Sequence, residues 1–136
     1  MKPALTDTGF LVGLFKPSDI LAAAATLYIR QHRHPLLTVS PVIVETCFFL
    51  PPAEKINLLT WIRRGGLSVV DTPVSVYPQF ELTMRKYADR NVDIADAALV
   101  WLAHETGIRQ ILTADRRDFL TFRLAGGRKF DLIEWF

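Results

Sequence analysis

The sequence predicts an α/β fold with a central, mainly parallel sheet covered on both faces by helices. Two observations carry this prediction. Short apolar segments with β-branched residues alternate along the chain with longer segments that favour helix, which is typical of βα units. The 136 residues show no internal repeat, low-complexity segment or linker, so residues 1–136 are interpreted as one domain long enough for a sizeable core.

The predicted strands are short and apolar. The first ends at Asp7, and together they are PALT (3–6), LLTV (36–39), LSVVD (67–71), RQILTA (109–114) and, as a possible last strand, FDLIEWF (130–136). Buried strands of this kind need helices on both sides, and the segments between them have helical character.

The predicted helices begin and end at residues suited to those positions. Ser18 or Asp19 is expected to cap the alanine-rich helix at 16–32, and Ser40 followed by Pro41 to open the next. Pro51 and Pro52 end that helix, and glycine ends two others. The remaining helices are predicted at 53–64, at 72–90 with a kink or fresh start near Pro78, and at 92–107.

Composition narrows the class of protein. Half of the residues are hydrophobic and 22% are charged, which indicates a folded chain, and the formal charge of +2 is too small to indicate nucleic-acid binding by itself. The single cysteine, Cys47, cannot form an internal disulfide. With no secretory signal and no membrane-spanning apolar run, we expect a soluble cytoplasmic protein.

Four acidic residues lie in apolar surroundings. Asp7 and Asp115 follow predicted buried strands, and Glu45 and Asp96 lie within helices that are apolar on nearly every side. Each aspartate also has a local interpretation, because Asp7, Asp115 and the neighbouring Asp93 suit helix caps and Asp96 suits the first turn of a helix. Glu45 has none, since an ionised carboxylate inside an apolar helix is costly without partners.

Taken together, the four acids predict a metal site. Ligands of open α/β sheets bind beyond the carboxyl ends of the strands, where Asp7 and Asp115 lie and which Glu45 and Asp96 could face. Carboxylates gathered in one pocket repel each other, and a divalent cation relieves that repulsion. Oxygen ligands favour Mg²⁺ or Mn²⁺ over zinc, and the three histidines lack zinc-binding spacing.

The sequence resembles the PIN-domain ribonucleases, especially the VapC-type toxins of toxin–antitoxin pairs. The resemblance rests on LTDTGFLVGLF, SPVIVETCFFL, DIADAALVWLAHETGIRQILTADRRDF and the FDLI tail, with residues 51–90 similar only in helical character. It implies a three-layer α/β/α PIN-like fold and a Mg²⁺- or Mn²⁺-dependent endoribonuclease. It places the catalytic, metal-binding quartet at Asp7, Glu45, Asp96 and Asp115.

Further roles follow from the same resemblance. Asp93 would be an additional ligand or would orient water, and Thr113 would bond a ligand or phosphate, whereas Asp118 is interpreted as a turn residue. A polyanionic RNA substrate also calls for basic groups around the pocket. The candidates are Arg116 and Arg117, which directly follow Asp115, then Arg85, Lys86 and Arg90, with Lys16 as a weaker choice.

The resemblance also implies two protein partners, a small antitoxin and a second copy of the chain in a homodimer. An apolar group in the middle of the chain is compatible with such a surface, although burial in the core is the favoured interpretation. Its members are Phe48, Phe49, Leu50, Leu58, Leu59 and Trp61.

Three other classes of protein match parts of the sequence. Asp7-Thr8-Gly9 matches the catalytic triplet of aspartic proteases, but that fold is all-β and at least five segments here have helical character. A receiver-like phosphoacceptor domain would place two acids near the end of the first strand, where only Asp7 stands. A catalytically silent PIN-like interaction module, in which the acids serve only as caps, stays open as the alternative.

Overall fold

The computed structural model describes residues 2–136. Over that range, five strands form one sheet in the order β3-β2-β1-β4-β5, and every pairing in it is parallel. The mainly parallel sheet expected from the sequence is thus confirmed. The strands are β1 (Ala4–Thr6), β2 (Leu36–Val39), β3 (Ser68–Val70), β4 (Gln110–Leu112) and β5 (Asp131–Leu132).

Helices connect consecutive strands. They are α1 (Thr8–Phe15), α2 (Ala22–Gln31), α3 (Ser40–Phe48), α4 (Pro52–Arg63), α5 (Tyr77–Lys86), α6 (Ile94–Thr106) and α7 (Arg116–Thr121). Single 3₁₀ turns lie at Val74–Val76, Ala88–Arg90 and Ala125–Gly127. Within residues 2–136 no helix combines the length and the apolar character that crossing a membrane requires.

The sheet grows from β1 in two opposite directions. The chain moves from β1 outward through β2 to β3, then returns to the other side of β1 for β4 and β5. Because such crossovers are right-handed, helices α1–α4 and helices α5–α7 cover opposite faces of the sheet. The carboxyl ends of β1 and β4 therefore stand side by side at a topological switch point, where ligands of open α/β sheets bind.

Several predicted boundaries needed correction. Helix α2 begins at Ala22 rather than near Lys16, and Asp19 instead accepts a hydrogen bond from the Leu21 amide at 3.0 Å in the preceding turn. Ser40 is the first helical residue and not a cap, because Val39 occupies the capping position. Each of these differences is local and leaves the order of elements unchanged.

The chain restarts its helix near Pro78 as expected. A 3₁₀ turn precedes α5, which begins at Tyr77. The tail predicted as a strand at 130–136 pairs only at Asp131–Leu132. Its last residues instead turn back against other elements, with consequences described below.

Helix α6 is the central helix of the core. Seven consecutive residues, Ala97–Ala103, are buried, and so is Ala95. Such a helix has no solvated face along most of its length, so its polar first turn is where its functional groups are placed. Asp93 caps this helix and Asp96 lies in that turn, while Gly107 ends it with a φ of 73° as predicted.

Candidate metal-binding cleft

The carboxyl ends of β1 and β4 border an open cleft of about 450 Å³. It is lined by Asp7, Thr8, Gly9, Glu45, Asp93, Asp96, Ala114 and Asp115. The structure thus brings together the four predicted acids and Asp93. All of its charged lining residues are acidic, so the carboxylates face one another without a basic partner among them.

Asp7 is the most deeply placed of these acids, with only 6% of its surface exposed. Its Oδ1 accepts a hydrogen bond from the Thr8 amide at 2.7 Å, so it caps α1. Its Oδ2 accepts another, from the Thr113 hydroxyl at 2.7 Å. Burial raises the pKa of Asp7 to about 6, even though these two hydrogen bonds favour the ionised form.

Thr113 connects the ends of β1 and β4. Besides donating to Asp7, its hydroxyl accepts a hydrogen bond from the Asp115 amide at 2.9 Å. Its carbonyl accepts one from the Trp135 indole at 3.0 Å. The Thr113 hydroxyl therefore orients two of the acids, Asp7 and Asp115.

Asp93 and Asp96 enter the cleft from the start of α6. The Asp93 Oδ1 caps the helix by accepting a hydrogen bond from the Asp96 amide at 2.9 Å. Partial burial raises the pKa of Asp96 to about 8, and the charges of Asp7, Asp93, Asp115 and Asp118 add to the rise. Without a cation, Asp96 is therefore protonated at neutral pH.

Glu45 reaches the cleft from α3. Burial raises the pKa of its carboxyl, the nearby Thr8 opposes that rise, and Asp93 adds to it. The Thr8 hydroxyl itself is buried and makes no hydrogen bond of ordinary geometry within residues 2–136. A polar group in that state at the wall of an acidic cleft suits a ligand or a ligated water.

Asp115 both caps α7 and lines the cleft. Its Oδ1 accepts a hydrogen bond from the Asp118 amide at 3.1 Å, and burial raises the pKa of its carboxyl. The Asp118 carboxylate accepts a hydrogen bond from Arg90 at 3.0 Å and does not line the cleft. Asp118 thus stays out of the cleft lining as expected, but it lies in the first helical turn of α7 and not in a turn between elements.

Gly9 lets the two strand ends approach. A Cβ atom at this position would lie 2.5 Å from the Cβ of Ala114, closer than side chains pack. The start of α1 and the turn after β4 thus meet through a main chain that only glycine permits here. Asp7 and Asp115 flank this contact, so their spacing depends on it.

The donor atoms of the cleft fit a hard divalent cation. They are carboxylate oxygens with a threonine hydroxyl nearby, and neither histidine nor cysteine lines the cleft. Over residues 2–136, no three acidic, histidine or cysteine side chains are already gathered closely enough to enclose an ion. The acids therefore line an open cleft rather than form a finished cage.

The predicted basic residues are divided between several places. Arg90 and Arg117 line an adjoining cavity of about 370 Å³ together with Asp89, Asp115 and Asp118. Arg116 contacts Phe136. Arg85 pairs with Glu81 at 3.5 Å on the exposed side of α5, and Lys86 borders a separate cavity near His104. Arg85 and Lys86 thus line neither the acidic cleft nor its neighbour.

The apolar group noted in the sequence is divided too. Leu50 and Leu58 are buried, as the favoured interpretation held. Phe48, Phe49 and Leu59 are 88%, 51% and 53% exposed, so for them that interpretation is wrong. Val44 and Ile56 are exposed close by in the sequence, which gives α3 and α4 an apolar outer surface.

Comparison with known proteins agrees with the fold. A family model described as the PIN domain matches residues 4–123, and the chain belongs to the PIN-domain family. Ribonuclease VapC26 of Mycobacterium tuberculosis (strain ATCC 25618 / H37Rv) is 30% identical over 134 residues, covering 95% of this chain and 98% of that protein.

A solved structure is also similar. The crystal structure of Mycobacterium tuberculosis VapC20, described as a sarcin–ricin loop cleaving toxin, matches with a TM-score of 0.75 over 84% of this chain and 91% of that one. Because the two sequences are 18% identical, this likeness concerns the fold alone.

Proposed function

We propose that this PIN-domain chain is a divalent-metal-dependent endoribonuclease of VapC type, the toxin of a type II toxin–antitoxin pair. One observation supports this most: five carboxylates line one cleft without a basic residue among its lining side chains. Such a cluster opposes folding unless a cation offsets its charge. The similarity to Ribonuclease VapC26 over nearly the whole chain supports RNA as the substrate.

Asp7, Glu45, Asp96 and Asp115 would hold Mg²⁺ or Mn²⁺, with Asp93 as an additional ligand. The bound ion would supply Lewis-acid polarisation of the phosphate and a water of lowered pKa. Asp7 is the best central ligand, because Thr113 and the Thr8 amide fix both of its oxygens. Thr113 and Thr8 would hold the acids and a water in position, and Asp93 would orient that water if it does not bind the ion directly.

Partners follow from the same proposal. Arg90, Arg116 and Arg117 lie beside the acids and would contact RNA phosphates. The exposed apolar surface of α3 and α4 would bind an antitoxin or a second copy of the chain. Such binding would remove Phe48 and Phe49 from water. Because an RNA substrate and an antitoxin produced together with this protein would be in the cytoplasm, we expect the protein there.

The proposal is tested by incubating total RNA with wild-type protein and with Asp7→Asn, each with Mg²⁺ and with a chelator. We expect cleavage only by the wild type with the metal, and mapping the cut ends would identify the RNA class. Equal cleavage by Asp7→Asn would remove Asp7 from the site.

Calorimetric titration with Mn²⁺ distinguishes the alternative. The proposed enzyme should bind Mn²⁺ in a manner that Asp7→Asn abolishes. If neither protein binds Mn²⁺ and neither cuts RNA, a catalytically silent interaction module is favoured.

A further inference from the structure

The last two residues, Trp135 and Phe136, contact the segment that follows β4, Trp135 at Thr113 and Phe136 at Arg116. We name this pair the aromatic clasp. It lies beyond residues 4–123, the part of the chain that the family model matches. Neither residue is among the ligands proposed above, and the contacts of Phe136 call for an explanation of their own.

Trp135 anchors the clasp. Only 6% of its surface is exposed, and its ring packs edge-on against Phe10 of α1 at a centroid distance of 5.0 Å. Its indole donates the 3.0 Å hydrogen bond to the Thr113 carbonyl. A buried indole with a satisfied N–H is a rigid attachment point, so the next residue is held close to the cleft.

Phe136 holds Arg116 in two ways. The Arg116 guanidinium lies over the Phe136 ring at 4.5 Å from the centroid, and its Nη2 donates a hydrogen bond to the Phe136 main-chain oxygen at 3.0 Å. An exposed arginine normally samples many rotamers, and fixing it has an entropic cost. Here the contacts with Phe136 fix the Arg116 side chain in the free protein, so binding a ligand does not have to order it.

Arg116 differs from its two basic neighbours. Arg90 is paired with Asp118, and Arg117 borders a cavity that also holds Asp89, Asp115 and Asp118. Within residues 2–136 neither Arg116 nor Arg117 pairs with an aspartate or glutamate, but Arg116 alone of the three has its guanidinium held by an aromatic ring and a main-chain oxygen. The Phe136 ring covers one face of the Arg116 guanidinium, and the Phe136 oxygen accepts from one of its N–H groups. The other guanidinium N–H groups are available to an anion.

We propose that the aromatic clasp makes Arg116 a preorganised contact for an RNA phosphate next to the scissile bond, with Phe136 as its positioning residue. The proposal rests on the proposed ribonuclease function. A guanidinium suits this role because it binds phosphate oxygens through two parallel hydrogen bonds. Its position directly after Asp115 keeps that contact within one residue of the acidic cleft.

The first test measures binding separately from catalysis. In an Asp7→Asn background, the anisotropy of a fluorescein-labelled oligonucleotide spanning a site that the wild type cuts is titrated at several salt concentrations. Arg116→Ala should weaken binding about tenfold and reduce the magnitude of the salt slope by about one. Phe136→Ala should weaken binding about threefold to fivefold, because the guanidinium keeps its charge and its bond to the main-chain oxygen but loses the ring that fixes its plane.

The double variant is decisive. Once Arg116 is alanine, Phe136→Ala should have no further effect on binding, whereas it should remain fully effective with Arg117→Ala, the matched control. Phe136→Tyr, which keeps the aromatic face, should bind like the Asp7→Asn parent. In the active protein, Phe136→Ala should raise KM and leave kcat within twofold.

Three results would overturn the clasp. They are unchanged binding by Phe136→Ala, an equal effect of Phe136→Ala with and without Arg116, and a loss confined to kcat. Phe136→Leu, which keeps the apolar bulk but lacks a π face, replaces Phe136→Ala if thermal unfolding shows a folding defect. A wild type that cuts no RNA would contradict the ribonuclease function instead, so the two failures are distinguishable.

Discussion

The two sides of the acidic cleft are held by different forces. On the strand side, at the ends of β1 and β4, Asp7 accepts two hydrogen bonds and Thr113 connects it to the amide of Asp115. On the helix side, the Glu45 and Asp96 side chains accept no hydrogen bond within residues 2–136 that meets ordinary geometry. Burial raises the pKa of the carboxyls on both sides, but further at Asp96, to about 8, than at Asp7, to about 6.

This difference indicates a division of work. The strand side is prepared in advance, because its hydrogen bonds hold Asp7 and Asp115 whether or not a ligand is present. On the helix side, within residues 2–136, no hydrogen bond of ordinary geometry to the Glu45 and Asp96 carboxyls offsets their desolvation and the repulsion from neighbouring acids, which a cation would relieve. A metal ion should therefore affect the helix side more than the strand side, and four predictions examine this, beginning with the largest effect.

Asp96→Asn should change activity and stability in opposite directions. Removing a ligand should lower RNA cleavage about a thousandfold, since such ligands contribute several kcal/mol to the transition state. The metal-free protein should become more stable, because a carboxyl whose pKa is raised to about 8 by burial is replaced by a neutral amide. Cleavage rates and thermal unfolding in a chelator measure the two effects. A loss of stability would contradict the assignment of repulsion to the helix side.

The metal-free protein should lose stability as pH rises. The folded pKa of Asp7 is about 6 against a model value of 3.8, so the folded state holds its proton more tightly. Stability is then full below about pH 4 and falls between the two pKa values, by about 3 kcal/mol for Asp7 alone. The pKa of Asp96, raised to about 8, extends the fall to that pH.

Mn²⁺ should oppose this loss, since it competes with protons for the same oxygens. Urea unfolding at pH 4, 6 and 8, with Mn²⁺ and with a chelator, measures it. If stability in the chelator rose from pH 4 to pH 8, the carboxylates would not be repelling one another as described.

Thr113→Val should weaken the strand side. It leaves the buried Asp7 carboxylate without a hydrogen bond of 2.7 Å, which should destabilise the protein by about 2 kcal/mol. Activity should fall as well, because Asp7 and Asp115 both lose a partner. Thr113→Ser keeps the hydroxyl and serves as the control, with unfolding and cleavage both close to wild type. Equal behaviour of Val and Ser would show that the hydroxyl does not orient Asp7.

Glu45→Gln should have the smallest effect on stability, within about 1 kcal/mol. Glu45 is half-buried on the helix side and accepts no hydrogen bond that the substitution would break within the described chain. Cleavage and Mn²⁺ affinity should nevertheless fall clearly. Chemical unfolding in a chelator compared with calorimetric titration tests this separation, and an equally large loss of stability would place Glu45 among the structurally bonded acids.

The sequence predicted the strand side better than its surroundings. Asp7 and Asp115 could be placed together because the carboxyl ends of neighbouring parallel strands share one edge of the sheet. The alternative for the aspartates, that they are helix caps, turned out to be compatible with the cleft: Asp7, Asp93 and Asp115 each cap a helix and also line it. A carboxylate has enough lone pairs for both roles.

What the sequence could not predict depends on contacts between distant segments. Trp135 and Phe136 looked like the end of a strand, and nothing local shows that one bonds Thr113 and the other holds Arg116. The exposure of Phe48 and Phe49 was missed for a related reason, since an apolar helix is equally compatible with burial in a core or at an interface. The roles of the site residues stay predictions until the variants are measured.

Gly9 gives the triplet Asp7-Thr8-Gly9 a meaning unrelated to proteolysis. Because a side chain at this position would overlap Ala114, the gap between the first and last acid is defined by the Gly9 main chain packed against Ala114. The gap thus has the stiffness of close packing between short residues rather than that of long flexible side chains. Ionic radius is what distinguishes Mg²⁺ from Ca²⁺ in an all-oxygen site. Gly9, which would itself bind no ligand, would then determine the size of the cation that the cleft accepts.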